Sequence, residues 1–147
     1  MTRGEAILLV VHLAATAAMC GLIWFVQVVH YALFDGIGTA QFAAYEARHQ
    51  RATSFVVGPF MAIEGVTALI IAGTMRSHTG LPLNLASLSL LALIHGSTVF
   101  VQVPAHGRLT GGFDLAVVRR LVRTNWIRTV GWTARTVAAA SMVVVAT

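Results

Sequence analysis

Three histidines stand near the ends of apolar runs in this chain, His30, His49 and His106. Neutral imidazole binds iron, copper and zinc. Its ordinary pKa near neutrality also suits it to general acid–base work. Glu46 precedes His49 by three residues, the i, i+3 spacing used in carboxylate-bridged di-metal bundles. Such a centre needs several more carboxylates, and the chain has only five, of which Asp35 and Asp114 fall in expected turns. A di-metal site is therefore disfavoured. The three histidines stand as a candidate mononuclear site for Fe, Cu or Zn, or as bases with no metal at all. The plain alternative is interfacial histidines bonded to backbone and lipid headgroups.

Polar residues that can serve the same chemistry fall on helical stripes. Asn125, Arg128, Trp132 and Arg135 follow steps of three, four and three, which is one helix face. His95, Gln102 and His106 follow steps of seven and four, and His12 and His30 are eighteen residues apart, five full turns. Arg128 and Asn125 suit the stabilisation of a developing oxyanion. The candidate catalytic group is thus His30, His49, His106, Asn125 and Arg128. Tyr31, Gln102, Trp126 and Trp132 are the candidate substrate contacts, although the tryptophans fit an aromatic belt equally well.

A second constellation lies deeper. Glu64 is the only carboxylate inside a long apolar run, Phe55 to Met75. An ionisable group at bilayer depth costs roughly 2.5–3.5 kcal/mol or more, so it survives only where it is paired or used. His95 and Arg135 are also near the middle of their runs. The expectation is a buried Glu64–Arg135 pair with His95 beside it, serving either as a proton or ion relay or as a device that fixes helix register.

The elements that must position these residues are plain from composition. Of 147 residues, 57% are hydrophobic and 10% charged, with mean hydropathy +0.80. At about 20 residues per transmembrane helix, four spans use most of the chain. They are expected near residues 6–29, 54–75, 84–103 and 126–146, within one domain over 1–147. The first is expected to be a retained span, not a removed signal peptide, because no small-residue cleavage site follows it. The fold class is all-α, an antiparallel bundle of four transmembrane helices with helices 2 and 4 extended beyond the membrane on the cytoplasmic side. Residues 113–124 read as an interfacial helix leading into the fourth span. Thr39 is expected to cap the second helix, and Pro59 to kink it, with Thr53 and Ser54 serving the freed carbonyls. Cys20 is the only cysteine, which excludes an internal disulfide and thiol chemistry based on a cysteine pair.

All ten basic residues are arginine. Arg48, Arg51, Arg108, Arg119, Arg120 and Arg123 gather on the side opposite the termini. The positive-inside rule makes that side cytoplasmic and both termini extracytoplasmic, in a multi-pass inner-membrane protein. Nucleic acid is not an expected partner. The expected partners are the bilayer, whose anionic headgroups suit Arg119 and Arg120, a small lipophilic substrate and, as a homo-oligomer, further copies of the chain.

The pattern His30-Tyr31, His49, Pro59 and Glu64, then Gln102-Val-Pro-Ala-His106, then Arg120-Leu-Val-Arg-Thr-Asn125-Trp-Ile-Arg128-Thr with Trp132 and Arg135, resembles small bacterial four-helix integral membrane proteins. These are distantly similar to the anthrone-oxygenase-like membrane family. The resemblance spans nearly the whole chain and implies oxidation of a lipophilic, often aromatic, substrate inside a four-helix bundle. It assigns no residue a role and does not decide whether a metal takes part. Beside this enzyme reading, with its His/Arg-lined pocket at the cytoplasmic end, stands an oligomeric transporter or channel subunit that uses Glu64, His95 and Arg135 as its relay. A scaffold whose polar layers only specify packing is a third reading.

Overall fold

The computed structural model describes residues 1–147, apart from the Asp35 side chain, and places the Asp35 backbone in a 3-10 stretch where a turn is expected. All regular structure among the described residues is helical. α1 (Arg3–Phe25) begins at a capping box, in which the Thr2 hydroxyl accepts from Glu5 N and the Glu5 carboxylate accepts from Thr2 N at 2.7 Å. It continues through a π-helical turn, Val26–His30, and a 3-10 stretch, Tyr31–Gly36. α2 (Thr39–Thr74) is followed by the short α3 (Arg76–Thr79) and by α4 (Leu81–Ser97). A second π-helical turn, Thr98–Gln102, joins α4 to α5 (Val103–Leu109). α6 (Leu115–Ala146) ends the chain.

Taken with their continuations, four helices are long and apolar enough to cross a membrane, Arg3–Phe34, Thr39–Thr74, Leu81–Leu109 and Leu115–Ala146. They overlap the four expected spans and outrun them, because hydropathy marks only apolar stretches whereas the backbone ladder continues past them. α2 remains helical through Pro59. Two local expectations are corrected. Gly38, not Thr39, stands at the start of α2, with no side-chain cap bond. The Ser54 hydroxyl donates to Gln50 O at 2.8 Å and the Thr53 hydroxyl lies against His49, so neither serves the Phe55 carbonyl that Pro59 releases. The helix expected over residues 113–124 is the first part of α6 and runs without a break into the fourth span. α6 starts at Leu115, where the Asp114 carboxylate accepts from Ala116 N at 2.8 Å and Val117 N at 3.2 Å.

The surface is apolar and the interior polar. Phe100, Phe55 and Val144 are 80%, 77% and 73% exposed, while Glu46, Glu64 and Asn125 are fully buried. Lipid tails accept the former, and the latter have to find partners inside the bundle. α1 packs against both α6 and α2, and α4 packs against α6. At the last contact the small residue is essential. A Cβ on Gly131 would lie 2.7 Å from Ile94 Cγ1, so only glycine lets α4 approach α6 this closely.

Apolar and polar layers alternate along the bundle. Leu9, Ile71, Met75 and Met142 form one apolar cluster. Met19, Ile23, Ile94 and Trp132 form a second. Tyr31, Phe34, Phe42, Leu109 and Leu121 belong to the third. The Glu64–Arg135 group separates the first two, and the histidine group separates the last two. Burial therefore fixes the helices while leaving two levels at which polar side chains must satisfy one another.

Candidate functional site

Both π-helical turns lie at the level of the histidines. In each, a backbone bond spans one residue more than in an α-helix, from Tyr31 N to Val26 O and from Val103 N to Thr98 O. The extra residue rotates everything beyond it by roughly 100° relative to a continuous α-helix. The first turn carries Gln27 and His30 and ends against Tyr31. The second ends on Gln102, four residues before His106. Such turns are found mostly where side chains serve a site.

Downstream of these turns three side chains form a chain. His106 Nδ1 lies 2.6 Å from Glu46 Oε1. A carboxylate only accepts, so the imidazole donates from Nδ1 and leaves Nε2 as its basic atom. The Tyr31 hydroxyl lies 3.2 Å from that Nε2 and 3.5 Å from Gln102 Oε1. Gln102 is turned by its own amide, which donates to Thr124 Oγ1 at 2.9 Å. Gln50 completes the frame, donating to Glu46 Oε1 at 3.2 Å and to the His106 carbonyl at 2.9 Å. A carboxylate that fixes the tautomer of an imidazole, whose other nitrogen faces a hydroxyl, is the arrangement of a proton-transfer relay.

The relay borders a cleft of about 320 Å³. His49, Gln50, Thr98, Gln102, His106 and Arg128 are among its polar lining residues, and Val57, Met61 and Val103 among its apolar ones. Its size and mixed lining suit a small amphiphilic molecule. The structure thus brings His49, His106, Gln102 and Arg128 to one cavity. Tyr31 is buried behind it, reaching it through His106.

His30 and His49 also meet, but as stacked rings, with centroids 4.2 Å apart and planes at 21°. His49 and His106 are 5.6 Å apart, centroid to centroid. Three histidines from three helices therefore converge, yet stacked imidazoles do not aim their lone pairs at one point. Among the described residues no group of three or more His, Cys, Asp or Glu side chains is arranged to hold a metal ion. His30 Nε2 is buried with no hydrogen-bond partner, and so is Glu46 Oε2.

Arg128 is held by a line of amides. Its Nη1 donates to Asn125 Oδ1 at 3.2 Å, Asn125 Nδ2 donates to Gln27 Oε1 at 2.9 Å, and Gln27 Nε2 donates to the Val122 carbonyl at 3.3 Å. Asn125 is fully buried, and its role is to orient Arg128. Trp132, expected as a substrate contact, is fully buried in the middle apolar cluster and away from the cleft. Trp126 is 45% exposed and packs edge-on against Trp24, lining a separate groove with Arg119 and Arg123.

In the deeper polar layer Arg135 forms an ion pair with Glu64, and both side chains are fully buried. Arg135 Nη1 also donates to the Ser87 carbonyl and, at 3.1 Å, to the Ser87 hydroxyl. His95 does not join the pair. Its Nδ1 is 3.1 Å from the Leu91 carbonyl and its ring faces Trp132. The π turn at 98–102 lies between His95 and Gln102, so the three positions that spacing put on one face do not stay on it. The histidine near Glu64 is His12, whose Nδ1 is 2.9 Å from Thr67 Oγ1.

Sequence reasoning saw Glu46 only as half of a metal-ligand spacing, and it left Gln50, Gln27 and Ser87 without a part. The signal for Glu46 was present in its place beside His49 on the helix that leads into the second span. Nothing in the spacing of Gln27 or Ser87 points to Asn125 or Arg135. Compared with models of known families, with curated proteins and with solved structures, the chain has no significant match.

Proposed function

We propose that this protein is a membrane-embedded enzyme of the oxidoreductase or oxygenase type, acting on a small lipophilic substrate in the His49/His106/Arg128 cleft. The observation that carries the reading is the Glu46–His106–Tyr31 relay at the wall of that cleft. Glu46 keeps His106 in the tautomer that accepts a proton at Nε2. His49, also on the wall, is the second base. Arg128, held by Asn125, balances negative charge on the substrate's oxygen. Removal of a proton from an enolisable substrate gives the electron-rich anion that molecular oxygen oxidises. The chemistry rests on proton transfer, which the relay supports, and not on a three-histidine metal centre, which stacked rings do not favour.

Oxygen uptake by the purified protein, supplied with an enolisable aromatic ketone such as an anthrone, tests this. His106→Asn and Glu46→Gln are expected to lower kcat by about 10²- to 10⁴-fold. Uptake unchanged in both variants would sink the reading.

The arginine distribution supports an inner-membrane bundle of antiparallel helices with both termini outside and the relay near the cytoplasmic face, where α2 and α6 extend past the hydrocarbon. The transporter reading has less support. His95 is bonded to its own helix, and the Met19, Ile23, Ile94 and Trp132 cluster lies between Arg135 and Arg128.

A further inference from the structure

Among the described residues Arg128 is a buried cation with no anion. It is 7% exposed. Each of the four described carboxylates is engaged elsewhere. Glu5 caps α1, Asp114 caps α6, Glu46 holds His106 and Glu64 pairs with Arg135. The tyrosine nearest in charge, Tyr31, is a neutral phenol bonded to His106. A guanidinium taken from water without a counter-charge costs several kcal/mol, so the site is built for a charge that arrives from outside.

The geometry names that charge. Nη1 is committed to Asn125 Oδ1, and Nε is buried with no partner. Nη2 is left open, with two N–H groups that can donate to the oxygens of an arriving carboxylate. Arg128 lines the cleft, and Val57 and Met61 line the same cleft with apolar surface. The amide line through Asn125 and Gln27 ends on a backbone carbonyl, so each acceptor in it already has its donor.

We infer that the ligand of this cleft is a lipophilic monocarboxylate, whose carboxylate docks on Nη2 of Arg128 and whose ring system or short chain lies on Val57 and Met61. The inference rests on the cleft being the functional site and adds the class of molecule it takes. Recruitment from the bilayer suits such a molecule, since its apolar part partitions into lipid and its head remains near the interface.

The test is binding, with no turnover required. Full-length protein in detergent is titrated with 2-naphthoic acid and with its methyl ester, which share an apolar body and differ in charge. The acid is expected to bind about ten-fold or more tightly than the ester. Arg128→Gln is expected to abolish the difference and Arg128→Lys to keep part of it. Val57→Trp, which fills the apolar side, is expected to weaken acid and ester alike. Equal affinity of acid and ester for the unaltered protein overturns the inference, and needs no variant to fold. So does a preference for the acid that survives Arg128→Gln. A charge preference without oxygen consumption on any enolisable substrate would leave this inference standing and remove the oxidoreductase reading. Turnover without a charge preference would do the reverse.

Discussion

Glu46 Oε1 and His106 Nδ1 are 2.6 Å apart, on helices whose sequence positions differ by sixty residues. The contact ties α2 to α5 and sets the imidazole tautomer at once. Glu46→Gln removes the charge that holds the Nδ1 proton while keeping an acceptor oxygen. The expected result is a fold that survives with a loss of about 1–3 kcal/mol, together with a mixed tautomer at His106. Ring nitrogen shifts of labelled His106 by NMR distinguish the two tautomers. A single unchanged Nδ1–H form in the variant would mean that Glu46 does not set it.

The Glu64–Arg135 pair predicts an asymmetry between single and double variants. Glu64→Gln leaves a fully buried guanidinium without its counter-charge and is expected to cost about 3–5 kcal/mol. Replacing both partners by methionine is expected to cost far less than the sum of the single changes. Thermal unfolding in one detergent, read as a double-mutant cycle, measures the coupling. A coupling near zero would show that the pair does not hold α2 to α6.

Gly131 makes a prediction about packing alone. Gly131→Ala drives a methyl into Ile94 and is expected to destabilise by about 1–3 kcal/mol. Ile94→Ala opens room, so the double variant is expected to be less destabilised than the two singles added together. Loss of stability that is strictly additive would place the strain elsewhere.

Asn125 offers a test of Arg128 from its other side. Asn125→Asp gives the guanidinium a carboxylate within the protein. It also takes the donor from Gln27 Oε1, so a cost of about 1–3 kcal/mol is expected, while the preference of the cleft for an anionic ligand falls towards none, because the charge is already met. Asn125→Leu instead orphans both Gln27 Oε1 and Arg128 Nη1 and is expected to destabilise by about 2–5 kcal/mol. Parallel melting and binding curves separate the two effects.

Much of this molecule is legible in the order of its residues. Long apolar runs announce four helices, because nothing else in lipid satisfies the backbone. Glu64 and Arg135 share a depth and do pair. His30, His49 and His106 share another and do converge. What spacing could not give was rotation. A period of 3.6 carried His95, Gln102 and His106 along one face, whereas the π turn at Thr98–Gln102 intervenes and His95 ends against Trp132. Trp132 followed the polar stripe of α6 but is packed among Met19, Ile23 and Ile94. Short polar partners such as Gln27 and Ser87 were invisible for a different reason. Their hydrogen bonds cross between helices, and the choice of partner depends on which faces meet.

The two π turns have a consequence for how such a bundle can change. Each is a one-residue phase shift set into an otherwise regular rod, and each lies just before the residues that line or back the cleft. Deleting a single residue there, Val28 or Val101, removes the bulge and leaves the following segment on the face it already presents. Closing the bulge with every residue kept instead swings that segment by roughly 100°, turning a different set of side chains inward while the lipid-facing stripe nearer the Glu64 layer keeps its alignment. The lining of the cleft is therefore held by two turns that the membrane anchor does not feel.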